Sequence, residues 1–159
     1  MAAETLTATR AAATFPVFKA SGAGLLCVAH GTYNITAAVE DGDIFEMCKV
    51  PAGATIVGGY IQATDLDTGG TEALDMMVGW AANGSDVADP DGLCLAHVFT
   101  GDVSVHLDVA QNLVFFGGVI TSAGPKTLVN ETTIQVEVNT AAATLTAGFM
   151  TVVVWYTSP

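Results

Sequence analysis

The chain has 159 residues, and its 16 acidic against 4 basic side chains give a formal net charge of −12. That excludes duplex nucleic acid, whose binders draw their affinity from Lys and Arg on phosphates, and argues against the anionic face of a membrane. With 51% apolar residues the chain also lies outside the low-hydrophobicity regime of disordered proteins.

Only 13% of the residues are charged, against about 25% in ordinary soluble domains. Much of the surface is therefore expected to be covered, most simply by other copies of the chain. Lys, Arg and Gln, the usual residues of long helices, are scarce. Thr and Val favour pleated strands, and 17 Gly with scattered Asn and Asp supply turns. The composition is all-β.

Residues 1–22 read as an extended N-terminal arm, and 23–159 as a single β-sandwich domain. The arm opens MAAETLTATR, with no apolar run of the secretory kind. It holds Glu4, Arg10 and Lys19, a sum of +1, which leaves −13 on the rest of the chain. A weakly basic arm ahead of an acidic domain reads as a tether that orders on a partner. Arg10, Phe15, Phe18 and Lys19 are its candidate contact residues. The plain alternative is a tail without a role.

From Gly24 onward strand and turn signals alternate. Leu25–His30 is an apolar run that Tyr33–Thr36 extends. Asp43–Val50 follows, then the turn Pro51-Ala52-Gly53 and a strand over Thr55–Ala63. An acidic, Gly-containing loop at 64–71 leads to Ala73–Trp80. A long polar stretch then runs through Asp89-Pro90-Asp91-Gly92. Leu93–Phe99 and Leu113–Val119 flank a segment, 103–112, with room for one helical turn. Thr132–Asn139 alternates cleanly, with Ile134, Val136 and Val138 on one face. Thr144–Tyr156 is the last strand and is expected to pair with it as an antiparallel neighbour. About eight strands of this length suit a jelly-roll-like two-sheet sandwich.

Catalytic signals are thin. His30 and His97 fall in apolar strands, where a packed, hydrogen-bonded imidazole is expected. His106 lies near Asp108, but no G-x-S-x-G nucleophile elbow accompanies them. Gly58-Gly59 and Gly117-Gly118 lack the Lys-Ser/Thr of a phosphate-binding loop and read as bulges or close backbone approaches. Cys27, Cys48 and Cys94 form no CxxC pair, so they read as buried thiols of a chain made in a reducing compartment. Asp65 with Asp67, and Asp89 with Asp91, have the D-x-D spacing that aims two oxygens one way. A hard cation wants six to eight such ligands, more than either loop supplies. These four are the metal candidates, set against solvated turns and against the paired carboxylates of a glycosidase. Asn34, Asn83 and Asn130 open N-x-S/T triplets that read as polar turn chemistry. No catalytic residue and no cofactor is expected.

The order of segments carries a resemblance. Asp43-Ile44-Phe45-Glu46-Met47-Cys48-Lys49-Val50-Pro51-Ala52-Gly53-Ala54 is followed by an Asp-rich turn. Then come Val78-Gly79-Trp80-Ala81-Ala82-Asn83-Gly84 and, later, Gly118-Val119-Ile120-Thr121-Ser122-Ala123-Gly124-Pro125-Lys126-Thr127. Over roughly residues 40–139 this pattern resembles the head-decoration, or cement, proteins of tailed bacteriophages. The resemblance implies a non-catalytic virion protein, commonly a homotrimer. It would be made in the host cytoplasm and clamp neighbouring subunits of the major capsid protein on the outer surface of the shell. The alternative is a jelly-roll binding module of a phage spike or fibre, or a carbohydrate-binding domain, with a cation or glycan at the acidic loops.

Overall fold

A computed structural model describes residues 25–36, 39–98, 111–116 and 123–158. They form nine strands: β1 (Leu26–Ile35), β2 (Ile44–Val50), β3 (Thr55–Thr64), β4 (Asp75–Trp80), β5 (Asp89–Val98), β6 (Gln111–Phe115), β7 (Lys126–Thr127), β8 (Thr132–Thr140) and β9 (Gly148–Thr157). One sheet has the order β1-β9-β3-β6, with the two-residue β7 also pairing β3, and the other has the order β2-β8-β4-β5. Every pairing is antiparallel. With β7 set aside, consecutive long strands alternate between sheets in all but one step, β4 to β5, which is the jelly-roll arrangement of two facing sheets. Arg10, Phe15, Phe18 and Lys19 of the arm, His106 and Gly117-Gly118 lie outside the described residues.

The core lies between the sheets and follows from the period of two. Ile134, Val136 and Val138 of β8 turn inward as expected, opposite Met150, Val152 and Val154 of β9, and all six are buried. Ile56 and Ile61 of β3 and Met76, Val78 and Trp80 of β4 complete the layer. Each such side chain contributes about 1.5–3 kcal/mol by leaving water.

Three expectations are corrected. First, β8 and β9 do not pair: β8 lies between β2 and β4, while β9 lies between β1 and β3 in the other sheet. A hairpin would have kept both strands in one sheet. Instead residues 141–147 carry the chain across the sandwich, so two strongly apolar strands each occupy the middle of a sheet. β9 also starts at Gly148, four residues later than its apolar run suggests.

Second, Asp89-Pro90-Asp91-Gly92 is not a turn but the first part of β5. Turn residues fit there because β5 is an edge strand, where proline's missing donor removes no ladder bond. The β4–β5 pairing also shifts register twice. A Cβ at Gly79 would strike the Asp89 carbonyl, and one at Gly92 would enter the Trp80 ring.

Third, His30 is exposed rather than packed. The inward positions of β1 are taken by Cys27, Ala29 and Gly31, so Val28 and His30 stand on the outer face. Among the cysteines, Cys94 is buried but Cys27 and Cys48 are only partly so. Burial pushes the thiols of Cys48 and Cys94 up to about 11, which keeps them protonated and unreactive near neutrality.

Candidate functional site

The acidic candidates separate into two different environments. Asp67 is fully buried, with 0% of its surface exposed. Its Oδ1 accepts N–H bonds from Gly69 at 3.1 Å and Thr144 at 2.9 Å. Its Oδ2 accepts from Ala73 at 2.7 Å, Leu74 at 3.1 Å and Ala143 at 2.9 Å. Burial opposes ionisation of this carboxyl, but the donors of Ala73, Thr144, Ala143 and Gly69 outweigh it and hold the group well below the usual carboxylate range. Asp67 therefore ties the loop before β4 to the crossover 141–147. Further bonds between Thr68 N and Thr144 O and between Thr146 N and Leu66 O continue the tie. Asp65 lies beside this clamp, and its Oδ1 is buried without a hydrogen-bond partner.

Asp89 and Asp91 lie in β5. Burial and the adjacent Asp91 carboxyl push Asp89 up, against a smaller downward pull from Lys126. Among the described residues, no three His, Cys, Asp or Glu side chains converge as a metal site would require. The two D-x-D pairs thus make no common cluster.

Lys126 belongs to an interlocked end of the sandwich that the sequence reading did not assemble. Its Nζ donates to Asp86 at 2.8 Å and stands 5.1 Å from the centre of the Trp80 ring, while Trp80 Nε1 donates to the Val87 carbonyl. The hydrogen bond from Lys126, with others from Asn83 and the Val129 N–H, lowers Asp86 to about 2. Asn83 and Asn130 cross-link the same loops, each side-chain amide donating to the other's backbone carbonyl. Two of the three N-x-S/T asparagines are therefore structural.

The outer faces of the two sheets differ sharply in charge. The strands of the β2-β8-β4-β5 sheet carry Glu46, Lys49, Asp75, Asp89, Asp91 and Glu137. Strands β1, β3, β6 and β9 contain no Asp, Glu, Lys or Arg at all. The register aligns Val28 with Trp155 and His30 with Val153, and Tyr60 of β3 with Val153 from the other side. Tyr60 and Trp155 pack edge to face with ring centres 6.1 Å apart. Leu26 and Val28 remain 65% and 56% exposed, so among the described residues nothing covers this end of the apolar face. The Thr hydroxyls around it have internal partners: Thr32 with Thr151 and Thr55 with Thr127 at 2.8 Å, and Thr64 with the Phe149 N–H at 3.1 Å.

The strand order defines the chain as a jelly-roll β-sandwich with one charged sheet and one whose four long strands carry no formal charge. No family model and no curated protein matches its sequence. Solved structures do share its fold. A chain of the cyanophage Pam1 capsid asymmetric unit aligns with a TM-score of 0.66 and 21% identity, over 92% of this chain and 94% of that one. A chain of the capsid of Ralstonia phage GP4 aligns with a TM-score of 0.66 and 20% identity, over 91% and 90%. A chain of the acid-stable capsid of Helicobacter pylori bacteriophage KHP30 aligns with a TM-score of 0.54 and 13% identity, over 86% and 90%. At these identities the likeness is one of fold.

Proposed function

We propose that this chain is a bacteriophage virion structural protein. In this reading it sits on the outer surface of the capsid as a homotrimer, bridges neighbouring subunits of the major capsid protein, and stabilises the shell without catalysis. The observation that carries the reading is the near end-to-end sharing of its jelly roll with chains of phage capsid structures. The net charge of −12 favours the outer surface, since packaged DNA would repel the protein from the inner one. The arm, with Arg10, Phe15, Phe18 and Lys19, is assigned to contact with the shell.

The test is cosedimentation of purified protein with expanded capsids that lack it. Saturable binding in proportion to capsid subunits, with particles that survive hotter incubation, is the expected result. Protein that stays in the supernatant at micromolar concentration would end this reading.

A further inference from the structure

We infer that the outer face of the β1-β9-β3-β6 sheet is the surface through which copies of this chain meet; the inference rests on the homotrimer part of the reading above and gives it an address. A second copy necessarily carries the same −12, so a contact between copies is favoured where carboxylates are absent from both sides. A partner of different sequence imposes no such demand. The chain meets it in one sheet only, because β1, β3, β6 and β9 have no ionisable acid or base apart from His30, Cys27 and tyrosines. The opposite sheet, bearing Glu46, Asp75 and Glu137, would set like charges against each other.

Chemistry and size agree with charge. The face presents Leu26, Val28, Phe149, Val153, Trp155 and Tyr60, a mixture of aliphatic and aromatic side chains that fits a well-buried interface core. The hydroxyls of Thr32, Thr151, Thr55 and Thr127 bond one another within the chain, which lowers the cost of taking them out of water. Four strands of up to ten residues span roughly 33 Å by 19 Å. That is about 600 Å² in flat projection and more in accessible area, close to the ~800 Å² per partner of a stable interface. The strand β1 adds a reason for cover. It is a ten-residue sheet edge without Pro, Lys or any acid, the kind of edge that a lone subunit would have to protect.

Sedimentation equilibrium of the full-length protein, with no particles present, reads the inference. The expected wild type at micromolar concentration is a single species at a multiple of 16.2 kDa. Val153→Glu and Val28→Glu each place an unpaired carboxylate in the contact and should weaken assembly at least about 30-fold, the scale of a hot-spot loss, while Glu46→Gln on the opposite sheet leaves the mass unchanged. Val28 is more than half exposed, so Val28→Glu spares the core even where Val153→Glu misfolds. A wild type of 16 kDa overturns self-association. An assembly indifferent to Val28→Glu overturns the choice of face. Neither result alters cosedimentation with capsids, which reads the virion assignment separately.

Discussion

Asp67 satisfies five backbone N–H groups with two oxygens, from a side chain that is itself fully buried. Asp67→Asn would keep the shape but replace one acceptor with an NH₂ that faces N–H donors. Leaving buried donors unpaired costs about 1–3 kcal/mol each, so the variant should lose at least ~3 kcal/mol in urea unfolding. A loss below ~1 kcal/mol would show that the clamp is redundant. Asp86 provides the pH counterpart. Its folded value of about 2 lies below the ordinary 3.8, chiefly because Lys126 bonds to it. The stability it contributes, about 2 kcal/mol, is fully present above pH ~4 and is lost as pH falls toward 2. Asp86→Asn should lower stability at pH 7 and flatten its decline between pH 4 and 2, measured as melting temperature against pH. Of these two residues, the sequence exposed only the Asx-type turn at Asp67-Thr68-Gly69. The donors Ala73 and Leu74 follow Asp67 at six and seven positions, but Ala143 and Thr144 come from 76 and 77 positions away, and the Lys126 partner of Asp86 from 40.

At the scale of elements, the alternation in β8 was legible because one buried face imposes a period of two on the side chains. The start of β5 was not, because Pro, Asp and Gly serve both turns and sheet edges. The β4–β5 contact instead depends on close backbone approach at Gly79, where a Cβ would meet the Asp89 carbonyl and Pro90. Gly79→Ala should therefore cost about 1–3 kcal/mol, the usual penalty for overpacking. Gly70 has open space around it, so Gly70→Ala should change the melting temperature little. Equal melting temperatures for the two variants would mean that β5 can move aside freely.

For the whole molecule, the consequence of segregated charge is an unusual salt response. Copies that meet through an uncharged face still carry their carboxylates on the far sides, and added salt screens that repulsion over a Debye length falling from about 10 Å at 0.1 M to 3 Å at 1 M. Self-association should tighten several-fold over this range in sedimentation experiments. Weakening with salt would indicate ion pairs at the contact instead. The arm gives a second prediction at this scale. Arg10 and Lys19 can each add no more than ~1 kcal/mol through exposed ion pairs, so a strap would act mainly by raising effective concentration. Deleting residues 2–20 should leave the oligomer intact in sedimentation and weaken its hold on capsids. Equal affinity for particles would remove the arm from the contact.

By itself, the sequence determined the all-β class, the positions of most strands and the inward face of β8, because each rests on local periodicity and turn chemistry. It also contained the four strands without formal charge, although nothing local says that they belong together. Only the tertiary structure decided that. β8 and β9 look like hairpin partners in sequence, yet the crossover held by Asp67 sends them to opposite sheets. β1, β3, β6 and β9 are thereby gathered into one sheet. A sheet assembles strands by long-range backbone pairing that carries no sequence label, so a face made from four distant segments exists only once the chain has folded.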